Sequence, residues 1–269
     1  MSVAEALSII AVPAFADNYL WLIVRGRMAV AVDPGDAAPI EAALAAHQLT
    51  LAAIVLTHHH RDHIGGVNAL RSATPERQRI PVYGPRHDPI AAVTVALGQG
   101  DRVQLDAIEL ELEVLDVPGH TAGHIAYFGQ TADGPVLFCG DTLFATGCGR
   151  IFEGTPTQML ASLDRLAALP PTTAIYCAHE YTLANIHFAR AVEPDNLDLQ
   201  AWETIAVQRR AAGQSTVPTR MGHELRTNPF LRSRSAAVRA AAERRVSGAS
   251  ADAVATFTAI REWKNDFRA

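Results

Sequence analysis

The sequence predicts a layered α/β sandwich that is followed by a helical carboxyl-terminal region. Short apolar strands and helical segments mix as far as residue 178, whereas only helical patterns follow from about residue 181. A histidine cluster comes directly after LAAIVL (51–56), a continuous apolar run typical of a strand buried on both faces. We therefore expect a metal-binding domain at residues 1–180 and a separate helical region at 181–269.

The individual elements follow from apolar runs and the turn residues that bound them. The predicted strands lie at 8–13, 19–24, 29–33, 51–56, 81–83, 102–105, 109–117, 124–129, 135–139 and 173–178. Helices are predicted at 38–47, at 65–72 and at 155–170, where Thr155 caps the helix and Pro156 occupies its first turn. Apolar residues at helical spacing near the end of the chain are expected to pack a last helix against the body: Phe257, Ile260, Trp263 and Phe267.

Composition and charge narrow the class of protein. The 269 residues are 49% hydrophobic and 19% charged, as in ordinary globular proteins. The amino-terminal stretch lacks the basic region of a signal peptide, and no apolar run approaches the roughly 20 residues of a membrane span. The three cysteines are odd in number and widely spaced, which argues against a disulfide framework, and the absence of a CxxC pair excludes a cysteine zinc knuckle. We expect a soluble, cytoplasmic protein without membrane partners.

The formal net charge of -5 is unevenly distributed along the chain. Residues 1–200 carry 11 Lys and Arg against 22 Asp and Glu, whereas residues 201–269 carry 12 against 6. A basic carboxyl-terminal region can serve an anionic small molecule, a membrane surface or a nucleic acid. The acidic remainder argues against a nucleic-acid role.

The strongest motif is His58-His59-His60-Arg61-Asp62-His63, which has the pattern HxHxDH. Residues two apart in an extended loop point the same way, so His58 and His60 can converge on one metal. Asp62 and His63 lie where the chain turns into a helix, and they can serve a second metal. Imidazole and carboxylate ligands suit zinc, iron or manganese. His59 points away from its neighbours and is interpreted as a non-ligand.

Three later segments each offer a further ligand at the end of an apolar strand. PGHTAGH supplies His120, CGDT supplies Asp141, and AHE supplies His179. Seven ligands make two sites of four if one of them bridges, and the two carboxylate oxygens of Asp141 make it the natural bridge. The surrounding Gly and Thr favour a structural role for His124.

Together these motifs, with DPG at 33–35, resemble the metallo-β-lactamase superfamily. FADNYLWL, GDTLFATGCGRIFEGT (140–155) and HEYTLANIHFARAVEP (179–194) resemble the glyoxalase II family, or hydroxyacylglutathione hydrolases, in particular. The resemblance runs from about residue 9 to the carboxyl terminus. It implies a four-layer αββα sandwich with a C-terminal helical domain.

The resemblance also implies the role of each site residue. One metal would be held by His58, His60, His120 and Asp141, and the other by Asp62, His63, His179 and Asp141. Glutathione contacts would fall on Arg150, Tyr181, Arg261 and Lys264, the last of which is the single lysine of the chain. Some family members carry Tyr at the position of Phe152, so one hydroxyl contact to the substrate is absent here.

The reaction so implied is hydrolysis of S-D-lactoylglutathione, or a related S-acylglutathione, to D-lactate and glutathione in methylglyoxal detoxification. Two divalent metal ions, preferably zinc but with iron or manganese as alternatives, would share the attacking hydroxide. As carboxylate ligands of these ions, Asp62 and Asp141 are the predicted catalytic residues. We expect a monomer that takes this small molecule and has no nucleic-acid partner.

Four alternative functions, one of them non-catalytic, have to be weighed against this hydrolase. The first is a mononuclear iron persulfide dioxygenase of the same superfamily, which should use fewer ligands and lack a long helical tail. A lactonase or β-lactamase would not need the basic pair near the carboxyl terminus. A non-catalytic relative would have lost the ligands, and a nucleic-acid-processing member is suggested only by the Arg-rich stretch 209–245.

Overall fold

A computed structural model of the chain describes residues 6–268. Residues 1–5, part of the stretch considered for a signal peptide, lie outside the described residues. The chain divides into two compact units: the first comprises the residues up to Asp116 together with Thr121–Gly140, and the second comprises Val117–His120 and the residues from Asp141 on. The predicted boundary at residue 180 stays a prediction. Among the described residues, no helix is long and apolar enough to cross a membrane.

The first unit is built on two sheets. Its first sheet has the order β1-β2-β3-β4-β5-β6, in which β1 to β3 are antiparallel neighbours and β3 to β6 run parallel. These strands are β1 (Ser8–Ala14), β2 (Asn18–Arg25), β3 (Met28–Val32), β4 (Thr50–Val55), β5 (Val82–Pro85) and β6 (Val95–Leu97). The second sheet has the antiparallel order β10-β9-β8-β7. Its strands are β7 (Arg102–Leu105), β8 (Leu110–Asp116), β9 (Ile125–Thr131) and β10 (Gly134–Gly140).

Three helices accompany the first sheet: α1 (Ala37–Ala46), α2 (Arg61–Ile64) and α3 (Val67–Ser72). Apolar side chains of the sheet and of these helices form one buried core, with Leu22, Ile40 and Ile54 fully buried. The backbone N–H of Ile125 donates to the Thr57 carbonyl, and the Tyr127 hydroxyl donates to the Leu56 carbonyl. These two bonds tie the second sheet to the loop that follows β4.

The second unit is mainly helical. It contains the short hairpin β11 (Leu143–Phe144) and β12 (Gly147–Cys148), the antiparallel pair β13 (Ala174–Cys177) and β14 (Thr219–Arg220), and six helices among the described residues. The helices are α4 (Pro156–Ala167), α5 (Thr182–Val192), α6 (Leu197–Ala211), α7 (Met221–Thr227), α8 (Ala236–Arg245) and α9 (Ala253–Asp266). Phe257 and Ile260 of α9 are buried, and the rings of Trp263 and Phe267 lie against Phe188, as predicted.

Most predicted elements are present within a few residues of their expected bounds. Thr155 caps α4 through a capping box with Gln158, and Pro156 begins the helix. Two expectations were wrong. Four short strands were missed, namely β6, β11, β12 and β14, and β14 interrupts the region expected to be purely helical. The missed strands have two or three residues each, which is too short for a periodic pattern to show in sequence.

Candidate functional site

In the first unit, the histidine cluster follows β4 at the edge where β3 also ends. Because β3 and β4 are parallel neighbours, their carboxyl ends meet, and the N–H of Asp33 donates to the Val55 carbonyl at 3.0 Å. Asp33 accepts from the N–H and from the hydroxyl of Thr57, both at 2.7 Å. The buried carboxylate therefore fixes the start of the loop that carries the candidate ligands.

The first two predicted ligands converge. His58 is fully buried, and its Nε2 lies 3.1 Å from Nδ1 of His60, with the two rings nearly perpendicular. Ligands about 2.0–2.1 Å from one ion at tetrahedral angles lie roughly 3.3 Å apart. The separation of these two nitrogens fits a shared metal.

The other two residues of the motif form a second pair. His63 Nε2 lies 3.5 Å from Asp62 Oδ2, and its Nδ1 lies 3.1 Å from Asp33 Oδ2. Asn18 donates from Nδ2 to Asp62 Oδ2 at 3.0 Å. Each member of the pair is thus oriented by a neighbour from another strand end.

The outer contacts assign the ring protons of both buried histidines. A carboxylate accepts only, so His63 carries its proton on Nδ1, where Asp33 accepts it. The Thr57 hydroxyl donates its hydrogen to Asp33, so His58 Nδ1 at 3.1 Å donates to the hydroxyl oxygen. With the outer nitrogen of each ring protonated in this way, Nε2 is the nitrogen left to bind a metal.

The remaining histidines of this region have structural partners. The N–H of His59 and its Nδ1 both contact Asp88 Oδ2, at 3.1 and 2.9 Å. Asp88 also accepts from Thr121 and from the N–H of Gly123, so it joins the two loops within the first unit. His124 is buried and stacks on His58, with 4.5 Å between ring centroids.

In the second unit, Asp141 lies between two imidazoles. Its Oδ2 is 3.4 Å from His120 Nε2, and its Oδ1 is 3.3 Å from His179 Nε2. His120 Nδ1 donates to the Arg150 carbonyl at 2.8 Å, so Nε2, on the side of the carboxylate, is the ring nitrogen left to bind a metal. Each oxygen of Asp141 therefore faces a different imidazole, an arrangement in which one carboxylate can serve two cations.

Two of the predicted substrate contacts lie beside these ligands. The Tyr181 ring stacks on His179 with centroids 4.6 Å apart, and the side chain is 37% exposed. Arg150 is exposed, and its guanidinium lies 5.9 Å from the Phe152 ring. Phe152 is itself exposed and lies edge-on to His120. Both polar groups can therefore reach a bound solute.

Arg261 and Lys264 lie on one face of α9 with different surroundings. Arg261 is buried and donates to the Cys148 carbonyl at 2.9 Å and to Asn265 at 3.2 Å. The Lys264 ammonium donates to the Ala184 carbonyl at 2.8 Å. Burial and the charge of Arg261 lower the pKa of Lys264 to about 8. Arg261 is therefore held inside the second unit, whereas Lys264 is half-buried and its bond to Ala184 lies at the surface.

Sequence reasoning missed two residues that orient candidate ligands, Asp33 and Asn18, and one that joins the loops around them, Asp88. Asp33 was noted only as part of DPG, and Asn18 only as part of FADN, while Asp88 was not considered. Each is an Asp or Asn that comes at the end of an element close to the cluster. That signal is weak in one sequence, because which strand ends meet is known only from the sheet order.

Clusters of His and Asp among the described residues have ligand atoms within 4.8 Å of one another and are able to hold metal ions. Comparison with known proteins agrees with this chemistry. Residues 17–179 match the sequence model of the metallo-beta-lactamase superfamily, and residues 180–267 match the model described as hydroxyacylglutathione hydrolase C-terminus. The chain is 57% identical over 261 residues to a hydroxyacylglutathione hydrolase of Cupriavidus taiwanensis, which covers 96% of this chain and 98% of that protein.

Solved structures give the same fold. ETHE1 from Myxococcus xanthus has a TM-score of 0.64 at 26% identity, covering 97% of this chain and 92% of its own. TTHA1623 in a di-iron-bound form has a TM-score of 0.57 at 26% identity, covering 82% of this chain and all of its own. The predicted fold class, a metallo-β-lactamase α/β sandwich with a helical carboxyl-terminal region, is confirmed by these matches.

Proposed function

Because this chain belongs to the hydroxyacylglutathione hydrolase family of the metallo-β-lactamase superfamily, we propose that it hydrolyses S-D-lactoylglutathione to D-lactate and glutathione. It is a thioester hydrolase with a small-molecule substrate. The 57% identity along nearly the whole of both chains carries this conclusion. The structural likeness to ETHE1, at 26% identity, is much weaker support for the persulfide dioxygenase alternative.

Seven residues are proposed to hold two divalent ions, most simply zinc. The ligands of one ion are His58, His60, His120 and Asp141, and those of the other are Asp62, His63, His179 and Asp141. The donor set supports this assignment, because the pairs within each unit have the spacing of metal ligands, and the outer ring nitrogens of His58, His63 and His120 each have a partner that accepts their proton. When bound, the ions would supply a nucleophile from water at neutral pH and would polarise the thioester carbonyl.

The chain's own groups prepare the ligands for this chemistry. Asp33, the Thr57 hydroxyl and the Arg150 carbonyl each retain a proton on the outer nitrogen of an imidazole. Asp62 and Asp141, the proposed catalytic carboxylates, neutralise positive charge at the centre and contribute oxygen ligands. The leaving thiol has a pKa near ~8.5, so it departs as a thiolate without a strong general acid.

Four residues are proposed to bind the glutathione moiety. Arg150, Arg261 and Lys264 offer cations to its two carboxylates, and Tyr181 offers an exposed phenol. Nε of Arg261 is buried and has no hydrogen-bond partner among residues 6–268, which supports a donor role toward a ligand. Phe152 offers a ring where a hydroxyl would add a further contact.

We propose a monomeric, cytoplasmic enzyme. Cys139, Cys148 and Cys177 are buried free thiols, as expected in a reducing compartment.

The test is loss of the thioester of S-D-lactoylglutathione with purified protein of verified metal content. Asp141→Asn is expected to lower kcat by more than the roughly 10–100-fold that loss of an outer partner costs. Arg261→Ala with Lys264→Ala is expected to raise KM with a smaller effect on kcat. Absence of turnover with two ions bound would refute the proposal, and oxygen consumption with glutathione persulfide would support the alternative.

A further inference from the structure

One short segment contacts several of the proposed site residues. It comprises residues 143–150 and is called the 143–150 segment below. The carbonyl of Arg150 accepts from His120 Nδ1 at 2.8 Å, and the carbonyl of Cys148 accepts from Arg261 at 2.9 Å. Two main-chain oxygens of the segment therefore orient one proposed metal ligand and one proposed substrate contact.

The same segment also contacts the aromatic side of the site. The Phe144 ring lies edge-on to Tyr181, with 5.3 Å between centroids, and edge-on to His179 at 5.8 Å. Phe144 is buried, so its ring packs against the tyrosine and does not itself contact a bound ligand. A shift of this segment would move the surroundings of Tyr181, Arg261 and Arg150 together.

The backbone of the segment is not held by its own two-residue strands alone. At its turn, Thr146 has φ of 57°, a left-handed conformation that is unfavourable for a β-branched residue. Three side chains from outside the segment form hydrogen bonds with this turn. Glu224 accepts from the Thr146 N–H at 2.8 Å, and Trp202 donates to the Thr146 hydroxyl at 3.1 Å. Asn185 donates to the Ala145 carbonyl at 3.1 Å. Unfavourable conformations of this kind persist where such contacts over-determine them.

A fourth side chain completes the attachment. Asn228 donates from Nδ2 to the Gly147 carbonyl at 2.9 Å and to Glu224 Oε2 at 3.0 Å. Glu224 and Asn228 are both 0% exposed. The two residues are one helical turn apart, with Glu224 in α7 and Asn228 directly after it. The end of this one helix therefore presents both an acceptor and a donor to the turn at Thr146.

The burial of these two polar groups calls for an explanation. A buried carboxyl is costly unless its hydrogen bonds compensate, and burial raises the pKa of Glu224 to about 7. An apolar pair would fill the same space at lower cost, but it would leave the Thr146 N–H and the Gly147 carbonyl without these partners. The bonds that Glu224 and Asn228 provide are directed at the 143–150 segment.

We propose that Glu224 and Asn228 are positioning residues for glutathione binding, acting by holding the 143–150 segment in the conformation that orients Tyr181 and Arg261. This inference rests on the proposed function. Neither residue contacts the substrate; both act through the main chain of the segment.

The experiment compares two substitutions at Glu224. Glu224→Leu removes both acceptor oxygens, whereas Glu224→Gln keeps one carbonyl oxygen for Thr146 and Asn228. With Glu224→Leu, KM for S-D-lactoylglutathione should rise roughly tenfold or more, while kcat changes less than about threefold. Glu224→Gln should stay within about twofold of the wild type in KM, because the acceptor is retained.

A matched control distinguishes positioning from loss of stability. Glu193 is also a buried glutamate of the second unit, and it accepts from Arg232 at 2.8 and 3.0 Å without contact to the 143–150 segment. Glu193→Leu should lower the melting temperature and leave KM within about twofold of the wild type. The dissociation constant for glutathione, measured by calorimetry, should follow KM in all variants.

Two results would overturn the inference: an unchanged KM and glutathione affinity in Glu224→Leu, or an equal rise in KM in Glu193→Leu. Failure of the wild type to hydrolyse the thioester while it still binds glutathione would refute the proposed function alone. In that case the affinities of the variants still decide whether Glu224 positions the site. Failure of both turnover and binding in the wild type would refute both proposals.

Discussion

Asp33→Asn tests whether an outer carboxylate controls the metal affinity of this protein. Asp33 Oδ2 accepts from both the Thr57 hydroxyl and His63 Nδ1, and Oδ1 accepts from the Thr57 N–H. Its φ is 48°, a conformation that Asn tolerates, so the substitution leaves the backbone unstrained. An Asn offers one acceptor oxygen, and its NH₂ must face one of the donor groups.

The expected magnitude follows from the bond that is lost. If the NH₂ faces His63, the ring is driven to carry its proton on Nε2, the nitrogen proposed to bind metal. Loss of a hydrogen bond to a charged group costs about 1.5–3 kcal/mol, and loss of an outer partner of a metal ligand costs about 10–100-fold in affinity. We expect one of the two zinc dissociation constants to rise by roughly this factor, and the other to change much less.

The assay is titration of the metal-free protein with zinc in competition with a chromophoric chelator. Asp36→Asn is the matched control. Asp36 lies three residues away and accepts from the Ala38 N–H as the cap of α1, and Asn caps a helix equally well. The control removes the same charge from the same loop without contact to His63. Equal zinc affinities of Asp33→Asn and the wild type would refute the reasoning, as would an equal loss in the control.

Three further predictions follow from particular contacts. Gly140→Ala should prevent stable folding or shift the histidine loop. The φ of Gly140 is 47°, and the added methyl would lie 2.3 Å from the Thr57 hydroxyl and 2.9 Å from the His124 ring. An unchanged melting temperature would contradict this prediction. Burial raises the pKa of Glu224 from 4.5 to about 7, so the protonated form favours folding and this contribution is lost as the pH rises from about 4.5 to about 7. Relative to the wild type, Glu224→Gln should therefore gain up to about 3 kcal/mol in urea-unfolding free energy between pH 5 and pH 8, whereas parallel pH profiles would argue against it. The pKa of Lys264 is about 8, so KM for S-D-lactoylglutathione should rise as the pH increases through 8, and Lys264→Ala should abolish that rise in steady-state assays.

Much of the fold could be predicted because strands and helices leave local patterns. The run LAAIVL predicted β4, and the Thr155-Pro156 pair predicted the start of α4 at the residue where its capping box lies. The short strands β6 and β14 leave no such pattern, since they exist only through pairing with β5 and β13. These two strands can be recognised only when the position of the neighbouring strand is known.

The candidate ligands were predictable for a similar reason. Within HxHxDH, the relative directions of the side chains depend on a few backbone dihedrals, so four donors could be proposed from six consecutive residues. Their orienting partners could not be found in that way. Asp33 is 30 residues from His63 in sequence, and it meets this histidine because β3 and β4 are parallel neighbours.

The sequence by itself determined the class of chemistry, since the kinds of donor atoms and their local spacing are properties of the covalent chain. It also carried the family likeness that identifies a glutathione thioester hydrolase. Only the tertiary structure decided that Arg261 is buried and not solvated, and that Glu224 reaches Thr146 across 78 positions. Burial and long-range hydrogen bonds depend on how all elements pack together, and a local sequence pattern does not specify that packing.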